Sequence, residues 1–351
     1  MPDKKRRVAS RASSWIDRFF DWVERLPLPP YLFYLFGYLI FVSTHHILLW
    51  TSGALTMGEF SQGILFTIYF WLFLQAVAFH YFQNQAEDAL MRFRPVLDVS
   101  NKEFEKIRFS FVHFSARAAL IGSVVAVILS LFYLFSPVQI VSPLFTATPL
   151  TTALTVTLLL GAPFAFGFFY FVFRSLVWIT RLYGRVKRIN LFNLEPLYVL
   201  SRFTSKVGIL FIIYLVLNRL TSNAWGSQQA GEAITIFYFA FNGLIAILAF
   251  VLPLWGMHVR LVAEKERASN ENNRRLENAF WDLQRRMDKG KLADIAQFRN
   301  GIAALMDFRT EIKKIPTWPW DSATLRTFLT ALLVPMSVWI VQQVLLRTVV
   351  K

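Results

Sequence analysis

The sequence predicts an all-α fold, a polytopic membrane helix bundle with about seven transmembrane helices and cytoplasmic helical extensions. Three observations lead to this prediction. The 351 residues are 55% hydrophobic, with 36 Phe and 11 Trp, which exceeds the roughly 45–50% apolar residues of soluble domains. Seven stretches are apolar and about as long as a membrane helix. Lys and Arg are confined almost entirely to alternate segments between those stretches, as in membrane proteins of defined orientation.

The predicted spans follow from the roughly 20 apolar residues that a helix needs to cross ~30 Å of hydrocarbon. They cover residues 31–50, 63–82, 116–135, 153–173, 207–220, 233–255 and 325–346. The fifth span is the shortest, because Asn218 and Arg219 close its apolar run. We expect it to begin near Phe203, with the Lys206 side chain extending toward the headgroups.

The positions of Lys and Arg predict the orientation. With the N-terminus inside, the inner segments carry 34 of the 37 cationic residues, in segments 1–30, 85–117, 174–206 and 259–326. One span more or fewer would destroy this alternation, so we expect a cytoplasmic N-terminus and an extracytoplasmic C-terminus in the plasma (cytoplasmic) membrane. The basic side chains behind the net charge of +15 would then lie beside the anionic inner leaflet of the lipid bilayer. We therefore expect the bilayer, and not nucleic acid, as the partner of these basic residues.

The predicted domain organisation has four parts. They are a cytoplasmic amphipathic N-terminal helix (1–30), a six-helix transmembrane region (31–258) with cytoplasmic loops 85–115 and 174–206, a cytoplasmic helical hairpin with a Trp/Pro elbow (259–321), and the seventh transmembrane helix with an external tail (322–351). In the first part, Ser14 and Asp17 fit a capping box, and apolar residues then recur at helical spacing. This apolar face either lies on the inner leaflet or packs on other cytoplasmic helices.

Two apolar stripes predict the cytoplasmic hairpin. Within each stripe the residues recur at spacings of three and four, which is typical of helices packed side by side, and Gly290 between the stripes allows a reversal. The stripe residues are Leu276, Phe280, Leu283 and Met287, followed by Ile295, Phe298, Ile302 and Leu305. Because the hairpin has too little core to fold alone, we expect it to pack on other cytoplasmic segments, on neighbouring subunits of a homo-oligomer, or on a cytoplasmic protein partner.

The segment after the hairpin is predicted to be an elbow that leads into the seventh helix. Pro316 and Pro319 interrupt the helix, and Trp318 and Trp320 suit the headgroup layer of a membrane. Two readings fit this elbow. It is either a structural re-entry into the membrane or an element that couples the cytoplasmic hairpin to the last helix.

Motifs for catalysis, nucleotide binding and metal binding are absent from the sequence, so we predict neither an enzyme nor a cofactor. His80, His113 and His258 fall near the inner ends of spans and could converge on a metal or proton site, although interfacial His residues that meet headgroups are the commoner arrangement. Carboxylates are missing from the centres of the spans, which disfavours ion-coupled transport. The side-chain amides within the spans either bond helices together or line a pore, and they are Gln75, Asn242, Gln342 and Gln343.

Two segments, Asn-Leu-Phe-Asn-Leu-Glu-Pro-Leu-Tyr at 190–198 and the elbow with its following helix at 315–332, resemble parts of uncharacterised prokaryotic multi-spanning membrane proteins. The two segments together comprise 27 of the 351 residues, and this resemblance implies no known activity. It supports the predicted class of protein and leaves its activity open.

The layout of the chain separately resembles the seven-helix ion channels of the insect odorant and gustatory receptor type. Those channels also have an inside N-terminus, an extended cytoplasmic part after the sixth span and a short external tail. In that family the last helix lines a tetrameric pore, with a Gln near its end, and the resemblance implies that Gln342 or Gln343 is the counterpart. The sequence departs from the family's Thr-Tyr pair before that Gln, where Pro335-Met336 or Met336-Ser337 stand.

These observations lead to three hypotheses about function. The first is an oligomeric ion-channel-like protein with the last helix near the pore. The second is a non-conducting membrane sensor or scaffold whose cytoplasmic helices bind a partner. The third is a lipid-modifying membrane enzyme, with which the His residues on the inner side are compatible, although an acid–base pair is not visible in the sequence.

Overall fold

The computed structural model describes residues 14–60, 64–135, 149–221, 232–289 and 295–349. Within these ranges the regular elements are helices. The backbones of Leu97 and Val186 also form one isolated antiparallel β-bridge. The helices are α1 (Trp15–Arg25), α2 (Pro30–Thr51), α3 (Ile64–Phe93), α4 (Asn101–Val112), α5 (Ala116–Phe135), α6 (Pro149–Gly184), α7 (Glu195–Thr221), α8 (Glu232–Val251), α9 (Trp255–Asp288), α10 (Ile295–Lys314) and α11 (Ser322–Val349). The predicted all-α helical bundle is therefore confirmed.

Several of these helices have the length and composition of membrane spans. In the described part of the chain, four segments are long and apolar enough to cross a membrane: Pro30–Thr51, Thr157–Gly184, Glu195–Thr221 and Ala240–Asp288. Shorter apolar helical segments cover Ala116–Phe132 and Ser322–Val338. Each predicted span overlaps a helix. The count of seven spans and the orientation of the termini stay predictions.

The centre of the bundle is α7. More than half of its most apolar window is buried, compared with about a third or less in the other three long apolar segments. It packs against α3, α8 and α11. At Gly208 these helices come so close that an added Cβ would lie 2.7 Å from the ring of Phe328 on α11 and 2.9 Å from the carbonyl oxygen of Ala246 on α8. Glycine at this position therefore permits the close approach of three helices.

A second group of helices, α1, α3, α5 and α6, packs around an aromatic core. Phe79 on α3 contacts the rings of Phe20, Phe114, Phe168 and Phe171, with centroid separations of 5.1 to 6.0 Å. All five rings are almost fully buried. Edge-on and tilted ring contacts at these distances add to the stabilisation from apolar burial. This core holds α1 against α3 and α6.

The N-terminal helix begins at the predicted capping box. The Ser14 hydroxyl accepts a hydrogen bond from the Asp17 amide (3.1 Å), and the Asp17 carboxylate accepts one from the Ser14 amide (3.3 Å). Ile16, Phe20 and Val23 are buried against the protein. The buried part of this apolar face packs on the bundle, where α1 contacts α2 and α5, while Trp22 is half exposed. Residues 1–13 lie outside the described part of the chain.

Candidate functional site

The predicted elbow lies between α10 and α11, where its tryptophans join a column of aromatic rings. Trp318 stacks on His258 of α9, with ring centroids 3.9 Å apart, and on Trp320, 4.3 Å away. Trp320 in turn stacks on Phe250 of α8 at 5.2 Å, and Phe250 contacts Phe328 of α11 at 4.5 Å. We call these five residues the aromatic column. It connects α9 and the elbow to α8 and α11 through continuous ring contacts.

Hydrogen bonds from α9 hold the backbone at the start of the elbow. Nδ1 of His258 lies 2.9 Å from the carbonyl oxygen of Thr317, so this ring nitrogen carries the proton of the bond. The Lys265 ammonium donates to the carbonyl oxygens of Lys313 (2.8 Å) and Ile315 (2.7 Å). The last carbonyls of a helix have no partner within that helix, so Lys265 satisfies two acceptors at the end of α10. The elbow is thereby fixed to α9.

An ion pair fixes the other end of the elbow to α7. One Asp321 carboxylate oxygen accepts from the Thr324 amide (2.6 Å) and caps α11, while the other accepts from Nε (2.9 Å) and Nη2 (2.8 Å) of Arg202. Arg202 also donates to Glu195 (2.8 Å). Burial alone would raise the pKa of Asp321, but the bonds from Thr324 and Arg202 outweigh it and hold that pKa below its usual value.

Of the four predicted elbow residues, Trp318 and Trp320 take part in these ring contacts. Pro319 is buried and Pro316 is exposed at the surface. Phe250 and Arg202 also contact the elbow, through Trp320 and Asp321, and neither contact is predicted from the sequence. Arg202 lies 119 positions from Asp321 along the chain, and the local pattern around it gives no signal of this pairing. The arrangement links α9 and the end of α10 to the first turn of α11.

The predicted hairpin corresponds to α9 and α10, which lie against each other. Leu276 and Ile302 are buried between them, and the Asn272 amide donates to the carbonyl oxygen of Leu305 (3.0 Å). Three other stripe residues, Leu283, Phe298 and Leu305, are half-buried, whereas Phe280 and Met287 are 51% and 57% exposed. Gly290, where the reversal is predicted, and the side chain of Ile295 lie outside the described part of the structure. The two predicted stripes therefore face the partner helix only in part.

The predicted amides lie on three separate helices. Gln75 on α3 and Asn242 on α8 are both half-buried, and both helices pack on α7. Gln342 and Gln343 belong to the backbone of α11, but their side chains lie outside the described part of the chain. Their role in a pore or in a helix interface stays a prediction.

The three inner histidines have separate surroundings. His80 bonds the Tyr34 hydroxyl (3.0 Å) and the Glu24 carboxylate (3.2 Å), and His258 belongs to the aromatic column. Nδ1 of His113 lies 3.4 Å from the Asp17 carboxylate. Among the residues that the structure describes, no group of three or more His, Cys, Asp or Glu side chains is placed to hold a metal ion.

A buried carboxylate on α1 forms a second polar unit, which we call the Asp17 cluster. Asp17 is only 4% exposed and accepts bonds from the Ser14 hydroxyl (2.7 Å), the Gln83 amide (2.7 Å) and the Phe114 backbone amide (3.2 Å). Burial alone would raise its pKa, but His113 and the hydrogen bonds from Ser14 and Gln83 hold that pKa below its usual value. The cluster ties α1 to α3 and to the turn between α4 and α5.

The capping box in the sequence indicates Ser14 and Asp17, but only the fold shows that Asp17 is the centre of a long-range network. Neither the elbow nor the Asp17 cluster has the nucleophile, base and open cleft of a catalytic centre. Both are joints between helices: the elbow joins α9 and α10 to α7 and α11, and the Asp17 cluster joins α1 to α3. Comparison with known protein families, curated protein sequences and solved structures finds no match to this chain.

Proposed function

We propose that the protein is an oligomeric ion-channel-like membrane protein, in which α11 lies near the pore and the cytoplasmic helices assemble the subunits. The observation that carries this proposal is the one-sided packing of α11. Thr324 and Phe328 are buried toward the bundle, whereas Leu333 and Val338 are 56% and 61% exposed. A peripheral apolar helix of this kind exposes one face, which can contact either lipid or the same helix of a neighbouring subunit.

The helical register of α11 separates the two candidate glutamines. Position 343 follows Met336 by seven residues, which is about two turns, and Met336 is exposed. Position 342 follows Pro335 by seven residues and belongs to the stripe of Phe328, which faces α7 and α8. The proposal therefore assigns Gln343 to the pore and Gln342 to the contact with the bundle.

The two glutamines give a matched pair of variants for the test. Purified protein is reconstituted in nanodiscs for particle imaging and in planar bilayers for current recording. An oligomer with a central pathway is expected, and Gln343→Leu is expected to change the single-channel conductance or ion selectivity more than Gln342→Leu does. A monomeric protein that passes no current would refute the proposal.

A second candidate function is favoured by the exposed apolar side chains of α9. Phe280, Trp281 and Met287 are each more than half exposed on a helix whose sequence is otherwise rich in charge, and such surfaces commonly mark protein–protein contacts. A non-conducting sensor or scaffold would bind a soluble partner there. Stoichiometric co-purification of a soluble protein that is lost in the Phe280→Ala/Trp281→Ala double variant, together with absence of current, would favour this function.

A further inference from the structure

A cleft of about 380 Å³ lies between α4 and the end of α6, and neither the elbow nor α11 contributes to its lining. On the α4 side it is lined by residues at helical spacing, Ser100, Glu103, Ile107 and Ser110, with Lys102 and Lys106 beside them. Trp178 of α6 and Arg185, which directly follows α6, line the opposite wall. Three cations and one carboxylate therefore surround the cleft, which gives it a net positive charge.

Only some of the charged side chains that line this cleft have an ionic partner. Arg185 donates to the Glu103 carboxylate (2.7 Å), so the only lining carboxylate already has a cationic partner. Lys102 and Lys106 are both exposed, and neither forms an ion pair within the described ranges of the chain. They are four residues apart on α4, so their side chains share one side of the helix. Two ammonium groups are thus available to bind a ligand with more than one negative charge.

The position of Trp178 gives the depth of the cleft relative to the membrane. The apolar segment Thr157–Gly184 has 28 residues, which is more than the roughly 20 that cross the hydrocarbon, so its final turns extend beyond the apolar layer. Trp178 lies in these turns, and the Arg181 guanidinium lies 5.3 Å from its ring centroid. Tryptophan beside cationic side chains is typical of the headgroup layer. The predicted orientation places this end of α6 at the inner leaflet.

We propose that this cleft binds the headgroup of an inner-leaflet phospholipid that carries two phosphate charges. The ammonium groups of Lys102 and Lys106 donate to phosphate oxygens, and the donors of Arg185 that do not face Glu103 complete the site. Basic pockets between membrane helices on the cytoplasmic side suit such headgroups. The inference uses the membrane placement in the proposed function but does not depend on conduction or on subunit number.

The experiment measures lipid binding to the purified full-length protein in detergent by native mass spectrometry. Cardiolipin supplies two phosphates, phosphatidylglycerol one, and phosphatidylcholine is the zwitterionic control. Wild-type protein is expected to retain cardiolipin most tightly. The Lys102→Gln/Lys106→Gln variant is expected to bind cardiolipin about 30-fold more weakly, since each cation near a headgroup contributes roughly fivefold.

Two further variants keep the result interpretable. Lys102→Arg/Lys106→Arg retains both charges and is expected to bind cardiolipin within about threefold of the wild type, which is small beside the ~30-fold loss of the neutral variant. Lys289→Gln/Lys313→Gln removes two exposed charges of the hairpin and is expected to leave binding unchanged. If the Lys102→Gln/Lys106→Gln variant binds like the wild type, the cleft is not the lipid site.

A soluble competitor separates a lipid from a free phosphate compound. Inorganic pyrophosphate has a similar charge but no acyl chains, so it is expected to displace cardiolipin poorly at equal concentration. Displacement by equimolar pyrophosphate would overturn the assignment to a lipid. Binding of cardiolipin by a protein that proves monomeric and non-conducting would support this inference while refuting the channel, so the two proposals fail independently.

Discussion

The Asp17→Asn substitution tests whether the Asp17 cluster holds the N-terminal helix on the bundle. One carboxylate oxygen of Asp17 accepts from the Ser14 hydroxyl and the Phe114 amide, and the other accepts from the Gln83 amide and lies near His113. Asparagine has one acceptor oxygen and places an NH₂ group at the other position. In either orientation, at least one buried donor therefore loses its acceptor and faces another donor.

The expected loss follows from those contacts. A buried donor without a partner costs about 1–3 kcal/mol, and the remaining bonds no longer have a charged acceptor. We therefore expect Asp17→Asn to lower the free energy of unfolding by about 2–4 kcal/mol. Thermal unfolding in detergent, followed by tryptophan fluorescence, measures the change. Asp21→Asn is the matched control, because Asp21 is exposed on the same helix and its substitution should change stability by no more than about 0.5 kcal/mol.

The same cluster predicts a dependence of stability on pH. Because the folded protein lowers the pKa of Asp17, its contribution is fully present above the unfolded value and is lost as the pH falls through the folded value. The wild type should therefore lose more stability than Asp17→Asn below roughly pH 4. If Asp17→Asn unfolds at the same temperature as the wild type at neutral pH, the carboxylate is not a structural joint and the argument is wrong.

Three further predictions concern the close helix contact and the elbow. Gly208→Ala is expected to destabilise the protein by about 1–3 kcal/mol in thermal unfolding, because its Cβ would meet a ring and a backbone carbonyl, whereas Gly256→Ala, with no atom within 4 Å of the added Cβ, should be neutral or slightly stabilising. Asp321→Ala removes a helix cap and a half-exposed ion pair, so a loss of about 1–2 kcal/mol is expected, shrinking as the pH falls below roughly 4. Trp318→Ala removes the ring that stacks on both His258 and Trp320, so limited proteolysis of α9 and α10 should become faster. Unchanged cleavage would contradict the coupling role of the aromatic column.

The features that the sequence predicts correctly are local ones. Helix boundaries follow from spacing, from proline and from caps, and the Ser14–Asp17 capping box forms as the pattern indicates. The partners of these residues are not local. Gln83 and Phe114 lie 66 and 97 positions from Asp17, and periodicity within one helix contains no information about such distances.

The hairpin illustrates a second limit of sequence patterns. Spacings of three and four identify the apolar face of α9, but they do not say how much of that face a neighbour covers. Leu276 is buried against α10, whereas Phe280 and Met287, on the same stripe, are exposed. Coverage depends on where the partner helix lies, and that is set by the elbow and by Lys265, which anchors the end of α10.

The two joints differ in how easily they can open, and this difference decides which of them suits a moving role. The Asp17 carboxylate is buried, so separating it from its donors exposes several unsatisfied groups at once. At the elbow, the Arg202 side chain is 40% exposed, and its ion pair with Asp321 is screened by solvent and contributes no more than about 1 kcal/mol. Stacked rings can slide and stack again. We propose that a movement of the hairpin reaches α11 through the elbow, while the Asp17 cluster keeps α1 fixed to the bundle.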